Sequence, residues 1–551
     1  MWKDTHYRTM LTDIDIVRDD PSSAIFLGVI VTYSRGSGPG RPPTWMIVDG
    51  QQRITTLYLT VMAAVYVAAI NGDLDWAADT TGRYLIVRPM SGLTYNTKLV
   101  PSFNDRAQFS AVWSRVTSVK NLSSHSMFAY NPPRPPAPGG LAEGAMIKQF
   151  NSIVRDLNKV YKDGGLTELS SRIDIVSTKL SVVSISLREP TVAPKIFERL
   201  NFGAEPITVA DLVRNEIFAR SGDDLTAAQS LFDNRWEPFV NKFKDKNADL
   251  NKFLFPYALI TNPGAKRNDL FITIRSIWDK LGGPAEIIDN LVEFQAPYVA
   301  LAHGEDLAGA SKDVNLRVKR LALMNRPSSI YPFVIPLLKF NVDGVVSDDV
   351  VVEALDVIES FLFRRAVSGI EPTGLHAVFK GMWKELVSDS SPLEYDAALS
   401  VSRIKASISE RSTVAWPVDE EFVEAIVSGP LYRRKIAPYA LREYEMSLEE
   451  ECPADIPQIE HIAPQKKSDD WKHLTQEQFD KIVHTWGNLA PISPEMNPLA
   501  SSKIFSEKKL SYAKSKFASV RKLSEIDVWG ESEISARSNK IAAWAKVRWP
   551  H

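Results

Sequence analysis

Apolar and polar positions change period several times along the chain, and each change predicts an element. The β-branched run Ala24 to Tyr33 predicts a strand, the Gly- and Pro-rich Gly36 to Pro43 a turn, and Thr44 to Val48 a second strand. After Asp49-Gly50, residues Arg53 to Ile70 are apolar and helix-forming over roughly four or five turns. Asn131 to Gly140 holds five prolines and two glycines, a composition that predicts an exposed loop. Leu180 to Leu187 predicts a further strand, and a helix is expected to begin near Thr208, with Asp211 three residues on as its capping partner.

Beyond about Ala219 the pattern becomes long and amphipathic, as in Asp349 to Ala366 and Asp419 to Val427, with few strand signals and no repeat of fixed period. From about Leu448 short extended runs return at Gln458 to Ile462 and Asn488 to Ile492, and helices close the chain. The expected architecture is α+β and mostly helical, in three domains: 1–219, an all-helical 220–447, and 448–551.

Composition narrows the class. Apolar residues at 44% and charged residues at 24% fit an ordinary soluble protein and exclude a disordered chain. With a net charge of −2, nucleic-acid binding has to come from local patches, and Ser501 to His551 carries eleven Lys or Arg against five Asp or Glu. A solvated helical face reads the same way. The single cysteine, Cys452, excludes an internal disulfide and a cysteine-rich zinc site, which fits a reducing cytoplasm. Leu57 to Ile70 is too short to span a bilayer and reads as a buried helix, so no membrane is expected.

Two motifs carry chemistry. Asp49-Gly50-Gln51-Gln52-Arg53-Ile54-Thr55-Thr56 joins a strand to a helix start, where unpaired N–H groups and the helix dipole favour an anion such as phosphate. Gly50 permits close backbone approach, Arg53 can pair with phosphate oxygens, and Asp49 can hold magnesium or a water that the two glutamines orient. The same residues would equally serve a capped helix with a structural arginine. In the second motif, Glu460-His461 lies on an extended segment, Asn488 follows 27 residues after His461, and Asn497 nine after that, ahead of Lys503, Lys508 and Lys509. Phosphodiester hydrolysis needs a metal to polarise the phosphate and a base to activate water. Glu460 and Asn497 offer hard oxygen ligands for Mg2+ or Mn2+, and His461 titrates near neutrality as a general base should. Asn488 is expected to hold the loop and orient His461, and Lys503, Lys508 and Lys509 to meet DNA phosphates. Neighbouring strand side chains point to opposite sides, so a twist or bulge is needed to aim Glu460 and His461 together. His473 and His484 suggest zinc, but their spacing fits no zinc pattern. Trp471 and Trp486 are expected in the core.

The first octet resembles the Asp-Gly-Gln-Gln-Arg domain, related in fold to ParB and sulfiredoxin, of GmrSD-type and SspE-like modification-dependent restriction enzymes. Ile196 to Asn201 with Asp211 to Asn215 resembles that family's second hallmark, and the Glu460, Asn488 and Asn497 spacing resembles its HNH, or ββα-metal, nuclease domain. The resemblance implies binding and hydrolysis of a nucleoside triphosphate, GTP or ATP, at Asp49, Gly50, Gln51, Gln52, Arg53 and Thr55, with Asn201, Asp211, Arg214 and Asn215 beside them. It further implies a magnesium- or manganese-dependent endonuclease or nickase of anti-phage defence that acts on modified DNA, glucosylated, hydroxymethylated or phosphorothioate, under nucleotide control. A homo-oligomer stays open. A non-catalytic ParB-like DNA-binding regulator and a toxin nuclease without nucleotide control are the alternatives.

Overall fold

A computed structural model describes residues 4–19, 25–34, 43–87, 96–101, 103–119, 144–187, 208–221, 225–324, 328–387, 399–411, 414–448, 458–467, 471–472, 474–496 and 504–551. The proline-rich loop, Asn201, Cys452, His473, Asn497 and Lys503 lie outside these residues. The chain is mostly helical with small sheets and divides into two compact units, Met1–Thr208 and Val209–His551. The helical middle and the C-terminal stretch belong to the same unit.

In the first unit, helix α1 (Asp4–Asp19) precedes strands β1 (Ile25–Ser34) and β2 (Trp45–Asp49) and helix α2 (Gln51–Ile70). A long helix, α3 (Ala145–Thr178), leads into β3 (Leu180–Leu187). The sheet order is β2-β1-β3, with β1 antiparallel to β2 and parallel to β3. The predicted strands lie within a residue of the observed ones, and α2 starts two residues before its predicted start because Gly50 opens it. α2 is long and apolar enough to cross a membrane by length and composition alone, but 67% of that window is buried inside the protein. Its side chains from Leu59 to Ala68 are almost all fully covered, packed with Phe150, Ile153 and Leu157 of α3. This burial is what an apolar helix in the core of a folded unit shows.

The second unit begins with α4 (Val209–Arg220) and continues through helices to α5 (Asp348–Val367) and α6 (Ala437–Met446). Two antiparallel strands follow, β4 (Gln458–His461) and β5 (Leu489–Ile492), then α7 (Phe505–Tyr512) and the closing helix α8 (Glu531–Arg548). Charged groups buried in α5 tie this last part down. Arg364 donates to the carbonyls of Trp549 (2.8 Å) and Pro417 (3.1 Å) and to Asp419 (2.7 Å). Glu359, wholly buried, accepts from Tyr439 (2.7 Å), Trp549 Nε1 (2.7 Å) and Arg548 (2.5 Å), and the Phe363 ring stacks on Trp549. A buried ion survives only when it is paired: Arg364 and Oε1 of Glu359 are, whereas Oε2 of Glu359 has no partner and burial raises that carboxyl above its ordinary range.

Candidate functional site

At the first motif, Asp49 ends β2 opposite Val31 of β1, and the chain turns through Gly50 at φ 85°, a left-handed conformation that disfavours any side chain. A Cβ at Gly50 would also lie 3.0 Å from Ile30 Cγ1, so both conformation and space require glycine. Gly50 caps α2 without a side chain, which leaves the first-turn N–H groups to other acceptors. Gln51 Nε2 donates to the Ile47 carbonyl (2.8 Å), Gln52 is exposed, and Thr55 is half-buried. Arg53 turns back across the sheet and donates to the Val29 carbonyl beside Gly28. Thr56 is buried and its hydroxyl accepts from Gln149 of α3 (3.1 Å). Asp211, Arg214 and Asn215 sit on α4 in the second unit, where Arg214 pairs with Asp211 at 3.6 Å.

At the second motif, β4 pairs Glu460 with Ala490 and His461 with Leu489, and the two side chains project to opposite sides of the strand. Both are buried. Glu460 Oε1 accepts from Lys508 Nζ (2.7 Å) and the Tyr512 hydroxyl (3.1 Å), both on α7. The Lys508 ammonium also donates to the carbonyls of His461 (2.9 Å) and Ile462 (3.2 Å), so its three N–H bonds are spent inside the protein. At 1% exposure it does not fit the expected phosphate contact: a cation buried against a carboxylate and two carbonyls has no bond left for DNA. Lys509 is partly covered and faces Asp527 at 3.4 Å.

His461 faces the other way, into a ring cluster. Its Nε2 is 3.2 Å from Nδ1 of His484, its Nδ1 is 3.1 Å from Nε2 of the exposed Gln465, and the Tyr432 ring stands edge-on at 4.3 Å. Burial, His484 and Lys508 together push the imidazole down to about 4, so it is neutral at pH 7. Asn488 is wholly buried and uses its full amide capacity elsewhere. Its oxygen accepts from Ala463 N (2.7 Å) and Trp529 Nε1 (3.1 Å), and its nitrogen donates to the carbonyls of Ala463 (3.1 Å) and Val483 (2.8 Å). It thus pins the backbone two residues past His461 and does not touch the imidazole. Arg537 of α8 braces the same turn by donating to the carbonyls of Gly487 (2.7 Å) and Leu489 (2.8 Å). Gly487 is glycine because a Cβ there would meet Ser538 Oγ at 2.2 Å. Trp471 and Trp486 lie in the core as expected.

Two family models match this chain. The one described as the GmrSD restriction endonuclease N-terminal domain covers residues 1–218, and the one for the GmrSD restriction endonucleases C-terminal domain covers 416–544. The chain belongs to the GmrSD restriction endonucleases. Among curated proteins no match is found. The GmrSD C-terminal match spans Tyr432, Glu460, His461, His484, Asn488 and Lys508, and the N-terminal one spans the Asp49 turn and Asp211 to Asn215.

As a GmrSD nuclease the protein acts on DNA, and its donor set can be weighed for a divalent ion. Among the described residues no group of three His, Cys, Asp or Glu side chains could hold a metal. Magnesium, however, is commonly held by one or two protein oxygens plus water and substrate phosphates. Glu460 supplies a hard oxygen of that kind, already compensated by Lys508. As it stands this carboxylate does not fit a metal: it is buried, its charge is taken by the Lys508 ammonium, and with no bulge in β4 it lies on the side away from His461, so the twist expected to aim the two together is not formed. Sequence reasoning missed Lys508 as the partner of Glu460, and it missed Tyr432, Gln465 and Arg537. His484 was noticed only for zinc. Its four-residue distance from Asn488 was the available signal, since the turn that buries the asparagine also presents the histidine.

Proposed function

We propose that this restriction endonuclease hydrolyses DNA with His461 Nδ1 as the general base, and that the nucleotide-binding turn of the first unit regulates the cut. The observation that carries this reading is the asymmetric setting of the imidazole: Nε2 faces the partly buried His484, while Nδ1 meets the side chain of the exposed Gln465. Displacing Gln465 with water sets a neutral lone pair against the nucleophile. The water oxygen attacks phosphorus as its proton passes to Nδ1, the bond to the leaving sugar oxygen breaks, and that oxygen takes a proton from solvent. The negative charge of the arriving phosphodiester raises the affinity of the imidazole for this proton. Glu460 and Asn497, carried over from the family resemblance, would hold Mg2+ or Mn2+ only after Lys508 releases the carboxylate and β4 turns it toward the side of His461; the ion would then supply positive charge at the phosphate oxygens. Asn488 keeps the backbone after His461 in place. The antiparallel pair of β4 and β5 followed by α7 supports the reading of a ββα-metal module, and the β2-β1-β3 sheet with α2 that of a ParB-like domain.

In this reading GTP or ATP binds at Asp49, Gly50, Gln51, Gln52, Arg53 and Thr55, where uncapped N–H groups and an exposed glutamine await an acceptor. Asn201, Asp211, Arg214 and Asn215 are carried over from the family resemblance. The substrate is modified DNA in the cytoplasm. Matched modified and unmodified DNA, incubated with purified protein and Mg2+ with and without GTP or ATP, tests this directly. Cutting that requires the metal, prefers one modification and responds to nucleotide supports the proposal; indifference to nucleotide removes the regulatory half, and no cutting of any DNA removes the whole.

A further inference from the structure

We propose that His484, braced by Tyr432, is the positioning residue that fixes the tautomer and orientation of His461. The inference rests on the reading of His461 as the base. A neutral imidazole carries one N–H, and its location is set by what each ring nitrogen faces. With the Gln465 amide N–H directed at Nδ1 of His461, that nitrogen is the acceptor, so Nε2 bears the proton and donates to Nδ1 of His484 at 3.2 Å. The lone pair needed for chemistry therefore stays on the Gln465 side.

His484 is itself held at three points. It ends the helix Gln476–Val483, its carbonyl accepts from Tyr432 N (3.1 Å), and its ring stacks on Tyr432 at 5.5 Å and 11°. The same tyrosine meets His461 edge-on, so one ring fixes the planes of both imidazoles. Burial and the neighbouring Arg433 hold His484 below the usual histidine range, which keeps its Nδ1 lone pair available as the acceptor. A neutral acceptor orients the base without the full negative charge of a carboxylate, and so without trapping the proton once transferred.

The test separates the two roles of the ring. His484→Phe keeps a plane against Tyr432 but removes the acceptor; His484→Asn loses the plane but returns a polar group where Nδ1 stood. Steady-state cleavage should fall roughly tenfold to a hundredfold for His484→Phe, in kcat with KM unchanged, because a misoriented base costs about that much. His484→Asn should recover most of the loss. Wild-type kcat in the Phe variant, or equal losses in the Phe and Asn variants, would overturn the proposal. His461→Ala run alongside distinguishes the layers: if it still cuts, the base reading and this proposal fall together, and if it is dead while His484→Phe is fully active, only this proposal falls. Imidazole nitrogen NMR of the unaltered protein provides a readout independent of the variants' folding. A His461 protonated on Nε2 is expected, and one protonated on Nδ1 contradicts the assignment.

Discussion

The turn at Asp49 to Arg53 and the strand at Glu460 to His461 are the two places where the chain concentrates chemistry, and they are built on opposite principles. At the first, backbone geometry is fixed by Gly50 while Gln52 is exposed and the helix start carries no side-chain cap. At the second, Glu460, Lys508, Asn488 and both nitrogens of His461 are committed to protein partners. At the open turn Gln52 and the uncapped N–H groups can take a ligand without losing a contact, while Gln51 and Arg53 already donate to backbone carbonyls. A closed cluster is preorganised, and it admits substrate only by exchanging one contact, for which the exposed Gln465 is the natural candidate.

The contrast breaks most easily at the buried ion pair. Lys508→Met leaves the Glu460 carboxylate buried against Tyr512 alone and should cost about 3–5 kcal/mol of stability in denaturant unfolding. Adding Glu460→Gln should restore part of it; no recovery would mean that Lys508 matters for packing only. Asn488→Ala strands two buried donors and two carbonyls and should cost about 2–4 kcal/mol, read the same way.

The third effect is pH. The folded imidazole of His461 titrates at about 4, below its ordinary 6.5, so the unfolded state takes up the proton first as pH falls. The stability linked to this group is whole above about 6.5 and is lost as pH falls through about 4, amounting to about 3 kcal/mol. The stability difference between the wild type and His461→Asn should shrink over that window; a constant difference would place the imidazole in water. At the open site Gly50→Ala should cost about 1–2 kcal/mol through its positive φ and the Ile30 contact. Gln52→Ala should move stability by no more than about 0.5 kcal/mol while weakening nucleotide binding in titration calorimetry. A large stability loss there would erase the contrast.

How much of this could be read from the chain differs between the two places as well. The strand, glycine turn and helix of the first motif are local, set by neighbours in sequence, and β3 and the helices 348–367 and 419–427 follow from periodicity in the same way. The long helix α3 was not among the predicted elements; it runs across a kink at Gly164-Gly165, with Gly165 at φ 64°, where the helical pattern is interrupted. In the second motif the residue types were legible and their partners were not. Lys508 is 48 residues from Glu460 and Tyr432 is 29 from His461, and no local pattern says whether a lysine on a helix points at solvent or at a carboxylate. Opposite projection of Glu460 and His461 was legible from strand geometry; that separate helices would bury each of them was not.

The account depends on His461 acting on water, and single-turnover cleavage by His461→Ala tests that most directly. With the variant melting like the wild type and binding DNA equally well, the rate should fall at least about a hundredfold, the usual worth of a positioned base. Cleavage within a fewfold of the wild-type rate would contradict it.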